Sequence, residues 1–567
     1  MQLDETLTLV STLARLPRGE GRGFTFIGRD RTERYYPYEA MEAEAQRRAA
    51  KLAELGLVKG QRVALVLPEP HEFVLTFLGA VFAGVVPVPI FPRASFKNAD
   101  AYVDILAHII ATSGSRVVFC MEANQSVVER VREHDCGVEQ ILDVTHAFEA
   151  DPVPPPGWSL PTVTHDDTCF LQFTSGSTNK PKGVVVTHRN LVANTQSFMN
   201  EHGLKRNDQD KAVSWLPLYH DMGLIGFVLA TLLFDIPPTI LPTELFARAP
   251  GLWLETISRI GGTITYAPNF AFDLVVKRVK DKDLAALDLS RLRVVGSGAE
   301  PIRPKTLRAF AERFAPAGFR ANAFLPSYGM AESTLAITFH PCGTDMVTDL
   351  VDAAAMREGR ATPAAPGANP DDPAVLELMS CGVPFPGHEL RIVDEAGNPL
   401  PERQVGQVVT RGPSVTPGYF ENEDATREAL IDGWLQTGDL GYIAEGNLYI
   451  CGRLKDLIII RGANHYPQDI EWSVGELPGI RRGNVFAFSV DMDGQEALVV
   501  AAEANRADAA ELKEQIKRRV SEEFGLVPGH IAIVPLGELP KTSSGKAQRR
   551  KTKQLFEAGQ LPEHPAE

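Results

Sequence analysis

The sequence predicts an α/β protein: a large N-terminal domain of doubly wound parallel-sheet subdomains, then a small β-rich subdomain, then a small α+β C-terminal domain. Three observations predict it. Short apolar runs alternate with helical stretches over most of the chain. The composition shifts twice beyond residue 350. The length of 567 residues also exceeds the roughly 250–300 at which a single core stops growing.

The elements follow in order. Residues 62–67 (RVALVL) read as a strand, a helical stretch follows, and residues 85–91 (VVPVPIF) read as a second strand. The crossover between them implies parallel pairing. The uncharged stretch from Phe73 to Pro92 is nominally long enough to span a bilayer, but Pro87, Pro89 and Pro92 interrupt it. A buried helix up to Gly84 and then a strand is the better reading. The alternation recurs at 183–186, at 263–266, and at 292–295 leading into GSGAEPI, which extends the parallel sheet with helices on its faces. Residues 353–375 are crowded with Ala, Pro, Gly and Asp and read as an exposed excursion from the compact fold. The shorter runs HELRIVDEAGNPL and GQVVTRGP suggest a β-rich subdomain over about 381–452. Last, NVFAFSV, EALVVAAE and IAIVPL flank a charged helix near 509–524. The expected boundary falls at 453–456, giving domains 1–453 and 454–567.

Composition excludes several classes. Hydrophobic residues at 44% and charged residues at 23% match an ordinary globular protein. A net charge of −15 argues against general affinity for nucleic acid or an anionic membrane. Six cysteines without a CxxC pair argue against a zinc site or a disulfide framework and fit a reducing cytoplasm. The first ten residues carry two acids and no base, unlike a secretory signal. The expected location is therefore cytoplasmic, with no membrane span.

Residues 174–183 read TSGSTNKPKG between two apolar runs. Small residues let backbone amides approach phosphate oxygens, hydroxyls add donors and lysines neutralise charge. The order of a Walker loop is absent, as are G-x-S-x-G and H-E-x-x-H. The loop resembles the phosphate signature of the adenylate-forming superfamily, which holds acyl-CoA synthetases, luciferases and the adenylation domains of peptide synthetases. Further signatures follow in the expected order: WLPLYHDMGLIG (215–226), GSGAEPI (296–302), YGMAEST (328–334), GWLQTGDLGY (433–442), GRLKD (452–456) and PKTSSGKAQRR (540–550).

The resemblance implies ATP and Mg²⁺ as cofactors, and a role for each motif. Thr174, Ser175, Gly176, Ser177 and Thr178 would wrap the phosphates that leave as pyrophosphate, with Lys182 nearby. Glu332 is a hard oxygen ligand suited to Mg²⁺. Ser297, Gly298, Ala299 and Glu300, with Tyr328, Gly329 and Met330, look like the adenine pocket. Asp439 and Arg453 would hold the ribose, and His220 would lie near the substrate carboxylate. Lys546 would stabilise charge on the α-phosphate and the incoming carboxylate. The family's terminal domain is mobile and works in two orientations, with Lys455 at the position of the hinge. The remaining bases of 541–553, Arg549 and Arg550 among them, read as a solvated helix face or as a dock for an acidic partner.

Three features resemble the fatty acyl-AMP ligases in particular: the wording WLPLYHDMGLIG, the segment RGANHYPQDIE (461–471) where CoA synthetases carry a glycine-rich pattern, and the long interval between Glu332 and Gly382. That interval has room for an insertion, within about 342–380, that in these ligases restrains the terminal domain. The implied function is activation of a fatty acid to fatty acyl-AMP, then transfer to the phosphopantetheine thiol of a separate acyl carrier protein. The alternatives are a fatty acyl-CoA synthetase, an amino-acid-activating domain, and a non-catalytic adenylate-binding protein. The runs LIGFVLATLLF and APNFAFD are either the wall of an acyl tunnel or plain core.

Overall fold

A computed structural model describes residues 7–92, 99–174, 180–200, 202–492, 495–505, 509–542 and 545–564. Its centre is a nine-stranded sheet. From one edge the strands run Val383–Pro384, Ala336–Phe339, Phe324–Gly329, Val294–Ser297, Ile264–Ala267, Ala212–Ser214, Pro238–Ile240, Gly23–Ile27 and Glu33–Pro37. The six from Phe324–Gly329 to Gly23–Ile27 are parallel to their neighbours, and antiparallel strands close both edges. The inner strands are buried along their length, as both-face helix cover requires.

A second sheet, wholly parallel, orders Val86–Pro89, Arg62–Leu65, Val117–Cys120 and Gln140–Asp143. The helix Pro70–Phe82 links two of its strands, and every residue in it except Glu72 is buried. The uncharged stretch is thus an interior helix, opened by Pro70 at its first position and stopped at Gly84, whose φ is +64°. Among the described residues no helix is long and apolar enough to cross a membrane.

Two expectations need correction. Lys182–Thr187, expected within the parallel alternation, pairs antiparallel with Thr168–Thr174 in a separate hairpin. The connection between them is too short for a parallel crossover, which takes a dozen or more residues. The stretch from 353 is also not wholly an excursion. Asp352 caps a short helix, Ala353–Arg357, by accepting from the Ala355 amide at 2.7 Å. Ala353, Met356 and Ala361 are buried, and Thr348–Asp352 pairs antiparallel with Val375–Met379. Asp349 receives the Tyr442 hydroxyl at 2.8 Å and Arg403 at 2.9 Å, which fastens this hairpin to the β-rich sheet of Glu389–Val393, Gly406–Arg411, Leu430–Ile431, Trp434–Ala444 and Asn447–Arg453. Residues 364–374 are the mainly exposed part.

Beyond Arg453 a 3₁₀ turn, Leu454–Asp456, leads to a small hairpin and to a three-stranded sheet of Ile480–Met492, Gln495–Ala504 and His530–Val534. The helix Ala509–Phe524 packs on that sheet through Leu512, Ile516 and Val520. Each such side chain contributes about 1.5–3 kcal/mol on full burial, so this unit has a core of its own. Among the described residues, two ion pairs join it to the body: Arg303 to Glu476 at 2.5 Å and Arg482 to Asp273 at 3.3 Å.

Candidate active site

The parallel strands end on one face of the main sheet, the usual place for a ligand in an open α/β fold. There a cleft of about 2340 Å³ lies between the body and the terminal unit. It is far larger than the 300–1,000 Å³ or so of a typical ligand pocket, with room for two reactants. Of the residues the sequence singles out, His220, Glu332, Thr174, Lys182, Gly298, Ala299, Glu300, Tyr328, Gly329, Met330, Asp439, Arg453, Lys455 and Lys546 all line it. Ser297 does not; it is fully buried. Ser175, Gly176, Ser177 and Thr178 lie outside the described residues, and Thr174 and Lys182 are the paired ends of the hairpin that flanks them.

Local backbone explains the convergence. The strand Val294–Ser297 runs into a loop where Ala299 takes a left-handed φ of +68°, an uncommon strain for a residue with a Cβ and one that clusters at functional sites. At Gly298 a Cβ would stand 2.8 Å from the Ser327 hydroxyl and 3.1 Å from its carbonyl oxygen, so glycine eases the close approach of the two strand ends. His220 precedes the short helix Asp221–Leu224, which passes directly into a π-helical turn, Ile225–Leu229. Such wide turns recur at functional sites.

Asp439 is 7% exposed and is held from two sides. The Tyr328 hydroxyl donates to its Oδ2 at 2.7 Å, and Arg453 Nε lies 3.1 Å from its Oδ1. Tyr328 therefore does more than present a ring: its hydroxyl fixes the carboxylate expected to meet the ribose. Burial, reinforced by Asp439, pushes the Tyr328 pKa well above the usual phenol value, so it stays a donor. Glu332 accepts the Tyr419 hydroxyl at 2.8 Å, and burial raises its pKa. Lys182 sits 5.2 Å from the centroid of the same Tyr419 ring.

Lys546 is exposed by surface area and lines the cleft, with protein packed around its head. Loss of water around the ammonium lowers its pKa, while Asp221, Glu300 and Asp439 oppose that shift and Arg453 adds to it. Desolvation and then Lys546 pull His220 down to about 3, so the imidazole is neutral. Burial raises Asp221 above the usual carboxylate range. Glu300 turns to the Phe270 amide, accepting from it at 2.7 Å. Lys455 lines the cleft just past the last strand of the β-rich sheet.

Three participants were given no site role from the sequence: Tyr419, which lies outside the quoted motifs, Asp221 within WLPLYHDMGLIG, and the anchor of the lysine loop. That anchor is Arg549. It binds Glu471 through Nε and Nη2, both at 2.7 Å, and Asp456 through Nη1 at 2.9 Å. Arg549 is thus spent inside the terminal unit, which corrects its reading as a free docking charge. Of the apolar runs, Gly226, Phe227, Thr231 and Phe270 face the cleft, whereas Leu229, Leu232 and Phe272 are core. Phe198, Ile236, Ile264 and Phe339 add to that apolar wall.

Residues 22–420 match the family described as AMP-binding enzyme, and residues 455–565 match the family described as Disco-interacting protein 2-like, AMP domain. A putative acyl-CoA synthetase of Caulobacter vibrioides is 37% identical, over 92% of this chain and 90% of its own. The medium-chain-fatty-acid–[acyl-carrier-protein] ligase JamA of Moorena producens is 31% identical over 93% and 91%. A solved structure from work on fatty acyl-adenylate ligases of E. coli and L. pneumophila superposes with a TM-score of 0.91, at 35% identity and 99% coverage of both chains.

Proposed function

The chain belongs to the AMP-binding enzyme family, and from this membership we propose that it is a fatty acid–AMP ligase: it joins a fatty acid to AMP with release of pyrophosphate, then passes the acyl group to the phosphopantetheine thiol of a separate acyl carrier protein. The observation that carries the reading is one cleft in which an apolar wall (Phe198, Phe227, Phe339) meets a polar end holding His220, Asp439, Glu332 and Lys546. An alkyl chain fits the first and a nucleotide the second.

The chemistry follows from charge. Two anions, the carboxylate and the α-phosphate, must meet. At about 4 Å and an effective dielectric near 20 their repulsion is roughly 4 kcal/mol, about a thousandfold in rate. In this reading the Lys546 ammonium offsets that repulsion. Neutral His220 contributes a hydrogen bond without adding charge. Asp439 accepts from the ribose hydroxyls while keeping Tyr328, since a carboxylate oxygen accepts more than one bond. Thr174, Lys182 and residues 175–178 receive the β- and γ-phosphates. The carboxylate oxygen bonds to the α-phosphorus as the bond to the bridging oxygen breaks, and pyrophosphate leaves with the electron pair.

Among the described residues no group of three or more His, Cys, Asp or Glu forms a metal cage. That suits Mg²⁺, which is usually held by one or two carboxylates plus substrate phosphates. Glu332 fits: Tyr419 is bonded to its Oε1, and a carboxylate has lone pairs to spare. When bound, the ion would neutralise phosphate charge.

In the second step the terminal unit, 454–567, turns about Lys455 to withdraw Lys546 and admit the thiol, which attacks the acyl carbonyl and expels AMP. A carrier protein is preferred to CoA because the insertion touches the terminal unit: Arg357 reaches the Glu523 carbonyl at 3.5 Å, and burial, then Arg357, lowers the pKa of His465 to about 4. The name of JamA supports the same acceptor. The cysteines of the present chain are free and mostly buried, which suits work in a reducing cytoplasm. Incubation with ATP, Mg²⁺ and a panel of fatty acids should release pyrophosphate and accumulate acyl-AMP, which a holo carrier protein removes and CoA does not. Efficient clearance by CoA would make the enzyme a fatty acyl-CoA synthetase instead, and no pyrophosphate with any acid would end the reading.

A further inference from the structure

Resting on that reading, we propose that the apolar wall is a blind channel floored by Leu204 and Ile236, and that this floor selects straight-chain acids of about 12–16 carbons and rejects longer ones. The fold sets the direction of the channel. Its polar end lies at the C-terminal ends of the parallel strands, where Gly298 and Tyr328 line the cleft. Leu204, Ala212, Ile236 and Ile264 line the same cleft at the opposite edge of the sheet. There Ile264 opens its strand level with Ala212 and Val294, and Ile236 stands just before Pro238, which is also level with Ala212. The Tyr266 ring, level with Gly296, bridges the two ends, flanked by Phe227 and Phe339 at centroid distances of 6.3 and 6.1 Å.

Two lengths bracket the depth. From Val294 to Gly298 the strand and its first loop residue rise about 13 Å. The helical stretch from Asp221 to Leu233 returns from His220 to the far edge, a rise of about 18 Å. A fully extended chain advances about 1.2 Å per bond, so these lengths hold about 12 and about 16 carbons.

The floor is pinned from behind. Arg293, the residue before the strand Val294–Ser297, donates through Nη1 to the Leu204 carbonyl at 2.6 Å. Its other nitrogens hold the two oxygens of Asp210, Nε at 2.7 Å and Nη2 on the second oxygen. The Thr263 hydroxyl donates to the same carboxylate at 2.9 Å, and the Asp210 side chain is 1% exposed. The Leu204 amide in turn donates to the Phe198 carbonyl at 2.7 Å. Among the described residues, neither Arg293 nor Asp210 lines the cleft; the cavity stops at the leucine. Each methylene that enters the channel leaves water, an advantage of about fourfold. A methylene that meets the pinned floor has no room, and overpacking of that kind costs about tenfold or more.

The test measures kcat/KM for pyrophosphate release by the full-length enzyme with straight-chain acids from hexanoic to eicosanoic, each below its micellar concentration. The rate should climb to a maximum at about 12–16 carbons and fall by about tenfold or more at eicosanoic acid. Leu204→Ala and, separately, Ile236→Ala should each move the maximum up by about two carbons, into the space the side chain vacates. A profile that does not fall by eicosanoic acid, or a maximum that neither substitution moves, overturns the proposal while acyl-AMP formation stands. If one variant does not fold, the other and the wild-type maximum decide. If no acid releases pyrophosphate, the ligase reading fails and this inference with it.

Discussion

Lys546 brings its ammonium to the polar end of the cleft, opposite three carboxylates. Asp221, Glu300 and Asp439 act on its charge, and His220 beside it is neutral because its pKa falls to about 3. Removing that ammonium removes the offset to the carboxylate–phosphate repulsion. Lys546→Ala should therefore lower acyl-AMP formation by about a thousandfold, while capture of pre-made acyl-AMP by a carrier thiol stays largely intact. Equal loss in both half-reactions would contradict this division. The pH profile gives a second check. Lys546 acts when protonated and its pKa is lowered, so the adenylation rate should decline on an alkaline limb that begins below the free-lysine value near 10.5. His220 stays deprotonated above about pH 3, so no limb should appear near 6.5; a histidine-like limb abolished in His220→Asn would refute its neutrality. Of these residues, Lys546, Glu332 and Asp439 were legible only through the resemblance of their motifs to the family's, since a lone Glu or Asp beside small residues is ordinarily a surface or turn residue. Their partners were not. Tyr419 meets Glu332 across 87 residues and Tyr328 meets Asp439 across 111, and nothing local encodes a pairing made only by the fold.

The lysine loop depends on the helix behind it. Arg549 opens the helix Arg549–Glu557, and its guanidinium is shared by Glu471 of the helix Pro467–Val474 and Asp456 of the turn after the last β-rich strand. These side chains are 17%, 11% and 16% exposed. Breaking a buried pair by removing one partner costs about 3–5 kcal/mol, and less here because water reaches part of it. Arg549→Ala should thus destabilise the terminal unit by about 2–3 kcal/mol, with adenylation falling alongside. Arg549→Lys should recover charge but not the two-pronged bond to Glu471, and so only part of the stability. A thermal unfolding series checks both; an unchanged midpoint for Arg549→Ala would remove the anchor from the account. The sequence presents this arginine as one base in a run of six, and a run of bases reads as a solvated face. Only the two acids, brought up from 78 and 93 residues away, make it internal. Elements with strong local pattern were readable: the helix near 509–524 is found at Ala509–Phe524. The hairpin of Thr168–Thr174 and Lys182–Thr187 was misread because apolar runs carry strand identity but not strand direction; the short connection between them held that information.

At the scale of the whole molecule, the polar end of the cleft is complete only while the terminal unit is docked, since Lys546 belongs to one side and His220, Glu332 and Asp439 to the other. Near the junction Tyr466 and Leu457 join the apolar cluster of Met356, Leu440 and Tyr442, and farther out ion pairs hold the docked arrangement. Arg303 pairs with Glu476 at 2.5 Å and its guanidinium lies 5.8 Å from the centroid of Trp472; Arg482 pairs with Asp273 at 3.3 Å. Partly exposed pairs of this kind contribute about 0–1 kcal/mol each. Under the proposed two-step reaction these outer pairs would have to open for the unit to turn, withdraw Lys546 and admit the thiol. Reversing one charge, Arg303→Glu, turns attraction into repulsion across the seam and should shift the population away from the docked form. Adenylation should fall by about two- to tenfold, thiol capture should be unaffected or faster, and the deficit should shrink at high salt as the charges are screened. Adding Glu476→Arg restores the pair with opposite polarity and should recover most of the lost rate. Recovery in the double variant separates a latch from a merely structural arginine, whose loss no second reversal would repair.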